Sequence, residues 1–252
     1  MADQWPRTLW IVRHGQSAGN VARDAAEAQR LARIDIAFRD MDTPLSRLGE
    51  EQACALGQWF GTLPEKEQPQ VILCSPYVRA METARLMIDK GKLKAKLRMD
   101  ERLREKEFGI LDRLTRYGIT AQHPELAEQR SHVGKFYFRP PGGESWCDVI
   151  LRLRSTVEMV TREYVGQNVL IVAHQVTVSC LRYLLEHLDE AAILGIDRAG
   201  DVPNCGVTSY RAHKGEDEDS VLKLDLVNFT APLHQGGAPV TAAPDSNAAP
   251  GA

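Results

Sequence analysis

Two stretches far apart in the chain each carry an apolar run to a histidine. Trp10-Ile11-Val12 leads into Arg13-His14-Gly15-Gln16-Ser17, and Val169-Leu170-Ile171-Val172-Ala173 ends on His174. Apolar runs of this length bounded by polar residues read as strands buried on both faces, the kind found in parallel sheets covered by helices. In such sheets ligands bind where the strands end. If the two strands are neighbours, His14 and His174 face one pocket.

The rest of the chain supplies the helices. Ser17-Ala18-Gly19-Asn20 has the small and polar residues of a helix start, with alanine-rich sequence behind it through Ala32. Ser46 is placed to cap a helix whose apolar positions Ala53, Leu56, Trp59 and Phe60 recur at helical spacing. Val71-Ile72-Leu73-Cys74 reads as a short buried strand, ended by Ser75-Pro76 and followed by a helix from Arg79 through Ile88. Glu144-Ser145 opens a helix through Tyr164 that leads into the His174 strand, and helix continues beyond it from Cys180 to His187. Residues 207–212 and 221–229 read as strands paired antiparallel near a sheet edge, separated by an acidic turn at 215–219. Between residues 110 and 145 the pattern weakens, and Lys135-Phe136-Tyr137-Phe138-Arg139 is basic and aromatic together. This reads as an insertion over the pocket. Beyond Thr230 the composition turns to Ala, Pro, Gly and Asn, so residues 231–252 are expected to form a disordered tail. The fold expected is a three-layer α/β/α sandwich over residues 1–230, with a mostly parallel central sheet and a small capping insertion.

Charge and cysteine usage narrow the function classes. A formal net charge of -3 gives no global reason to expect nucleic acid or a membrane surface as partner. No run approaches the roughly 20 apolar residues of a spanning helix, and the N-terminus lacks the pattern of a secretory signal, which makes a cytoplasmic location the expectation. Cys54, Cys74, Cys147, Cys180 and Cys205 include no Cys-x-x-Cys pair and read as buried thiols, not as a disulfide framework or a zinc site. The remaining histidines have no i, i+4 metal spacing, so neither a metal nor another cofactor is expected. Oligomeric state is left open.

Five motifs in order resemble the histidine phosphatase superfamily, also called the phosphoglycerate mutase-like family. They are Arg13-His14-Gly15-Gln16-Ser17 with Asn20, Ser75-Pro76-Tyr77-Val78-Arg79-Ala80-Met81-Glu82-Thr83-Ala84, Leu103-Arg104-Glu105-Lys106-Glu107-Phe108-Gly109, Pro141-Gly142-Gly143-Glu144-Ser145 and Ala173-His174. Together they span roughly residues 8 to 210. The resemblance implies phosphoryl transfer, which needs an acceptor, positive charge around the phosphoryl oxygens and a proton for the leaving oxygen. His14 is the candidate nucleophile, with its other ring nitrogen holding the proton. Arg13 and Arg79 would clamp the phosphate, because a guanidinium fork bonds two oxygens and stays charged. His174 would add a third cationic donor when protonated, and Ser17, Asn20 and the backbone of the helix start would complete the shell.

Other positions leave alternatives. Glu105 aligns with the proton donor of the family, with Glu107 as rival and a salt bridge to Arg102 or Arg104 as the bland reading. Gln175 stands where many relatives carry glycine, and its side chain either points away or enters the pocket as an amide donor. Glu144-Ser145 is a support for the site or merely a helix cap. Lys135, Tyr137 and Arg139 either reach the remote part of an anionic substrate or form an exposed basic loop. The expected activity is metal-independent hydrolysis of a small phosphorylated metabolite. Phosphoglycerate mutase-type transfer and a non-catalytic phospho-ligand binding module are the alternatives.

Overall fold

The computed structural model describes residues 5–214 and 220–242. The acidic turn at 215–219 and residues 243–252 of the expected tail lie outside them. A six-stranded sheet runs in the order β3-β2-β4-β1-β5-β6. Four strands are parallel: β1 (Thr8–Arg13), β2 (Val71–Cys74), β3 (Lys96–Met99) and β4 (Asn168–Ala173). The antiparallel pair β5 (Val207–Lys214) and β6 (Ser220–Phe229) closes the edge beside β1. The β3 edge strand carries no apolar run and was not legible from the sequence; its residues are largely exposed.

Alternation on β1 divides the core. Leu9 and Ile11 face one side of the sheet, packed with Trp146 and Leu153 of α6 (Trp146–Glu163) and Leu181 of α7 (Gln175–Leu185). Trp10 and Val12 face the other, against Leu56 and Phe60 of α2 (Arg47–Thr62) and Met87 of α3 (Val78–Gly91). This is the three-layer sandwich expected of strands buried on both faces. Its caps are where the sequence placed them: Ser17 opens α1 (Ala18–Ala28), Ser46 opens α2 and Ser145 opens α6, each accepting a backbone N–H of the first turn. Two bounds differ. α1 stops at Ala28, not Ala32, and α7 begins at Gln175, directly after His174.

Between β3 and α6 the chain forms short helices α4 (Arg116–Gln122) and α5 (Pro124–Val133) with a small core of Leu111, Leu114, Ile119 and Phe138. Another short helix, α8 (Glu190–Ala199), precedes β5. Residues 231–242 depart from the expectation of an unpacked tail. They form α9 (Ala231–Gln235), bury Leu233 and Ala238 against the α2 layer, and bridge Ala242 to Pro203. Composition alone underweighted these few apolar anchors and the backbone pairing that follows them.

Candidate active site

β1 and β4 are neighbours in register, Arg13 opposite Ala173, and both histidines follow their last residues. His14 continues the ladder, its N–H donating to the Ala173 carbonyl at 2.9 Å. The two rings stand edge to face, centroids 5.1 Å apart. Nδ1 of His14 lies 2.7 Å from the Gly15 carbonyl oxygen, which can only accept, so Nδ1 carries the proton and Nε2 keeps its lone pair. Nε of Arg79 donates to that Nε2 at 3.2 Å. Burial, then the positive charges of Arg79 and Arg13, hold the His14 pKa well below the ordinary imidazole value, and the ring is neutral at pH 7.

A close crossing holds this loop in place. A Cβ on Gly49 would lie 2.0 Å from the Gln16 carbonyl oxygen, and one on Gly15 2.5 Å from that of Gly49. Only glycine at both positions lets the first turn of α2 press on the chain beside His14.

The base of the cleft is cationic. Arg13, Arg23 and Arg79 line it together with His14, Ser17, Asn20, Glu105 and Gln175, around about 770 Å³ of empty space partly open to solvent. Arg13 is fastened by Nη1 to the Val202 carbonyl at 2.6 Å; burial, then Arg23, lowers its pKa to about 10, so it remains charged. Arg23 was missed in the sequence, although its place three residues after Asn20 puts both on one face of α1. Ser17 and Asn20 form a reciprocal capping box that leaves the α1 N-terminus facing the cleft. Arg79 is 5% exposed and paired with Asp40, a residue that sequence reasoning also missed: Nη1 lies 3.0 Å from Oδ1 and donates to the Asp40 carbonyl at 2.5 Å.

His174 is fully buried behind His14, with Nε2 2.7 Å from the Ser75 hydroxyl. Burial, then Arg79, holds its pKa well below the ordinary value. The ring expected to add a third cationic donor when protonated is thus held toward its neutral form. Gln175 lines the cleft, but its Nε2 donates to Asp201 at 2.8 Å while its Oε1 is buried without a partner. Glu105 lines the cleft and Glu107 does not; Glu107 is exposed, accepting the Tyr77 hydroxyl at 3.1 Å. Glu144 supports Glu105 through Arg152, whose guanidinium meets Glu144 at 2.9 Å and donates to the carbonyls of Arg102 and Glu105. Of the Glu144-Ser145 pair, Glu144 braces the backbone of the Glu105 segment and Ser145 is the cap.

The aromatic and basic cluster does not reach the cleft. Lys135 pairs with Asp197 at 2.8 Å, Arg139 with Asp148, and Tyr137 is exposed. The cleft wall comes instead from Ile34, Ile36, Phe38, Phe108, Asp112 and Arg113. Alternating apolar residues at 34, 36 and 38 were the available signal. Among the described residues, no group of three or more His, Cys, Asp or Glu is placed to hold a metal ion, and no helix is long and apolar enough to cross a membrane.

Behind the cleft the end of the described chain acts as a strap. Asn204 Nδ2 donates to the His14 carbonyl at 3.0 Å, and Gln52 Oε1 accepts the Gln16 N–H at 2.9 Å. Thr241 ties the two amides together: its hydroxyl donates to Asn204 Oδ1 at 3.0 Å and accepts from Gln52 Nε2 at 2.9 Å. Asn204 N–H donates to the Thr241 carbonyl at 2.8 Å, and Gln52 Nε2 also to that of Pro239 at 2.8 Å.

Comparison with known proteins meets this geometry. The family model described as "Histidine phosphatase superfamily (branch 1)" matches residues 9–223. A 6-phosphofructo-2-kinase/fructose-2,6-bisphosphatase of Caenorhabditis elegans is 32% identical over 179 residues, 70% of this chain and 33% of that longer protein. A 2,3-bisphosphoglycerate-dependent phosphoglycerate mutase of Sinorhizobium fredii is 29% identical over 78% of this chain and 87% of its own. Among solved structures, a mycobacterial glucosyl-3-phosphoglycerate phosphatase complexed with VO3 superposes with a TM-score of 0.67 at 31% identity, covering 88% of this chain and 99% of that one.

Proposed function

Because the chain belongs to the histidine phosphatase superfamily, we propose that it is a metal-independent phosphomonoesterase that hydrolyses a small phosphorylated metabolite through a phosphohistidine on His14. The observation that carries this reading is the state of His14: Nδ1–H is held by the Gly15 carbonyl, and the Nε2 lone pair is aimed at the base of a cleft containing three arginines.

A phosphomonoester brings its equatorial oxygens to Arg13, Arg23 and Arg79, and Arg79 turns from Asp40 to the phosphate. Nε2 of His14 then attacks phosphorus. The P–O bond to the leaving group breaks as the P–N bond forms, and Glu105 gives its proton to the departing oxygen. In the second step Glu105, now a carboxylate, takes a proton from water as that water attacks phosphorus; the P–N bond breaks, phosphate leaves, and His14 regains its lone pair. His174 stays neutral until a dianion arrives, when the anion's charge favours its protonation and adds a donor beside the transferring group.

The test is phosphate release from a panel of phosphorylated metabolites in the presence of a chelator, comparing the unaltered protein with His14→Ala. Hydrolysis that survives chelation and vanishes with His14 is the expected result. A folded protein that turns over nothing, or an His14→Ala variant that retains activity, would overturn the proposal. Transfer of the phosphoryl group to a second metabolite oxygen instead of water would reveal a mutase.

A further inference from the structure

Above the arginines, the cleft has an outer half that the phosphoryl chemistry leaves unused. Residues 33–36 cross the mouth as an irregular segment, and the chain bends at Ala37 and Phe38. Ile34 N–H donates to the Arg113 carbonyl at 2.9 Å, Thr115 N–H to that of Ala32 at 3.2 Å, and Arg33 forms an antiparallel bridge with Leu114. Ile34, Ile36 and Phe38 line the cleft, whereas Asp35, Ala37 and Arg39 are exposed. Phe108 lines the same cleft, and Phe38 leaves 45% of its surface open. A row of apolar side chains at the entrance to a charged site has a use only if the ligand covers it.

The polar groups of the outer half are mainly acceptors. Asp112 lines it, and Asp40 lines the cleft where it meets Arg79. Burial, then the Asp40 charge, raises the Asp112 pKa, as when two carboxylates act on each other. Arg113 is committed: Nη1 donates to the Ile36 carbonyl at 3.3 Å, Nη2 to that of Phe38 at 2.7 Å, and Nε lies 4.0 Å from Asp112. Its guanidinium fastens the wall instead of meeting a ligand.

Resting on the phosphatase reading, we propose that this outer half selects the leaving group, favouring phosphomonoesters of uncharged alcohols that carry a ring or other apolar face and disfavouring esters with a second phosphate or a carboxylate. The apolar face of such an alcohol covers Ile34, Ile36, Phe38 and Phe108, and its remaining hydroxyls donate to Asp40 and Asp112. A second anion meets those carboxylates instead, and discrimination comes from that repulsion as much as from the apolar contact.

The experiment compares kcat/KM for adenosine 5′-monophosphate and benzyl phosphate, which have ring-bearing, uncharged leaving groups, with glycerol 3-phosphate, 3-phosphoglycerate and adenosine 3′,5′-bisphosphate. The ring-bearing monoesters should exceed the other three by tenfold or more. Phe38→Ala should reduce the ratio of benzyl phosphate to glycerol 3-phosphate about tenfold, and Asp112→Asn should narrow the gap between the adenosine mono- and bisphosphates. Equal or better turnover of the two doubly anionic esters, or a Phe38→Ala ratio that does not move, would overturn the selection while leaving the phosphatase reading intact. Absence of hydrolysis across the whole panel would overturn both.

Discussion

Replacing Thr241 with valine keeps the shape of the side chain and removes one hydroxyl from the strap behind the His14 loop. That hydroxyl is the donor to Asn204 Oδ1 and an acceptor for Gln52 Nε2. Gln52 Nε2 retains the Pro239 carbonyl, so its loss is partial. Asn204 is fully buried, and its carbonyl oxygen is left without that donor. An unsatisfied buried polar group costs about 1–3 kcal/mol. For a chain of this size each kcal/mol corresponds to about 2–4 °C in Tm, giving a fall of roughly 2–12 °C. Differential scanning calorimetry reads this directly. Because Asn204 also holds the His14 carbonyl, kcat for an aryl phosphate should fall severalfold with little change in KM, as expected of a positioning residue. An unchanged Tm in Thr241→Val, together with an unchanged Tm in a variant ending at residue 238, would refute the reasoning for the strap.

Four further outcomes are expected. Arg79→Ala should weaken inhibition by vanadate about tenfold to a hundredfold, since a charge-assisted hydrogen bond contributes about 1.5–3 kcal/mol; unchanged inhibition would remove Arg79 from the anion site. Asp40→Asn should tighten vanadate binding twofold to fivefold by releasing Arg79, an effect kept small because the Asp40 carboxylate is 42% exposed; weaker binding would contradict the competition. Glu105→Gln should slow esters with poor leaving groups far more than activated aryl phosphates, and equal losses would point to another acid. His14 and His174 have folded pKa values below their unfolded value of about 6.5, so below that pH the unfolded chain binds protons that the folded one refuses. Stability should be intact above pH 6.5 and fall on acidification toward the folded pKa values, by up to about 1.4 kcal/mol per pH unit for each histidine. Denaturant titrations of His14→Asn and His174→Asn should show flatter profiles between pH 6.5 and 5.5; slopes equal to that of the unaltered protein would rule the effect out.

What was legible in the sequence is what local chemistry writes into short segments. Apolar runs marked β1, β2 and β4, serine caps marked α1, α2 and α6, and the histidine at the end of each of two strands needed only that β1 and β4 be neighbours to meet. Arg23 was hidden because a charge on an alanine-rich helix looks solvated until the facing element is known. Asp40 and the 34–38 wall escaped because their partners, Arg79 and Arg113, lie 39 and more than 70 positions away. Lys135, Tyr137 and Arg139 stayed open between a substrate contact and an exposed basic loop, because the partners of the two cations, Asp197 and Asp148, are distant in sequence or on the next helix. The strap was invisible to composition, since most of its bonds use backbone groups and neutral amides, which every sequence carries.

The strap also orders events in time. The loop after His14 emerges early in synthesis, yet its braces come from positions 52, 204 and 241. Of these, the brace from position 241 is the last to be synthesised, after every strand of the sheet. A nascent chain that stops short of Thr241 carries every strand of the sheet but lacks the hydroxyl that joins the Asn204 and Gln52 amides behind the His14 loop. The loop made among the first residues is thus fully braced only when the chain has reached position 241.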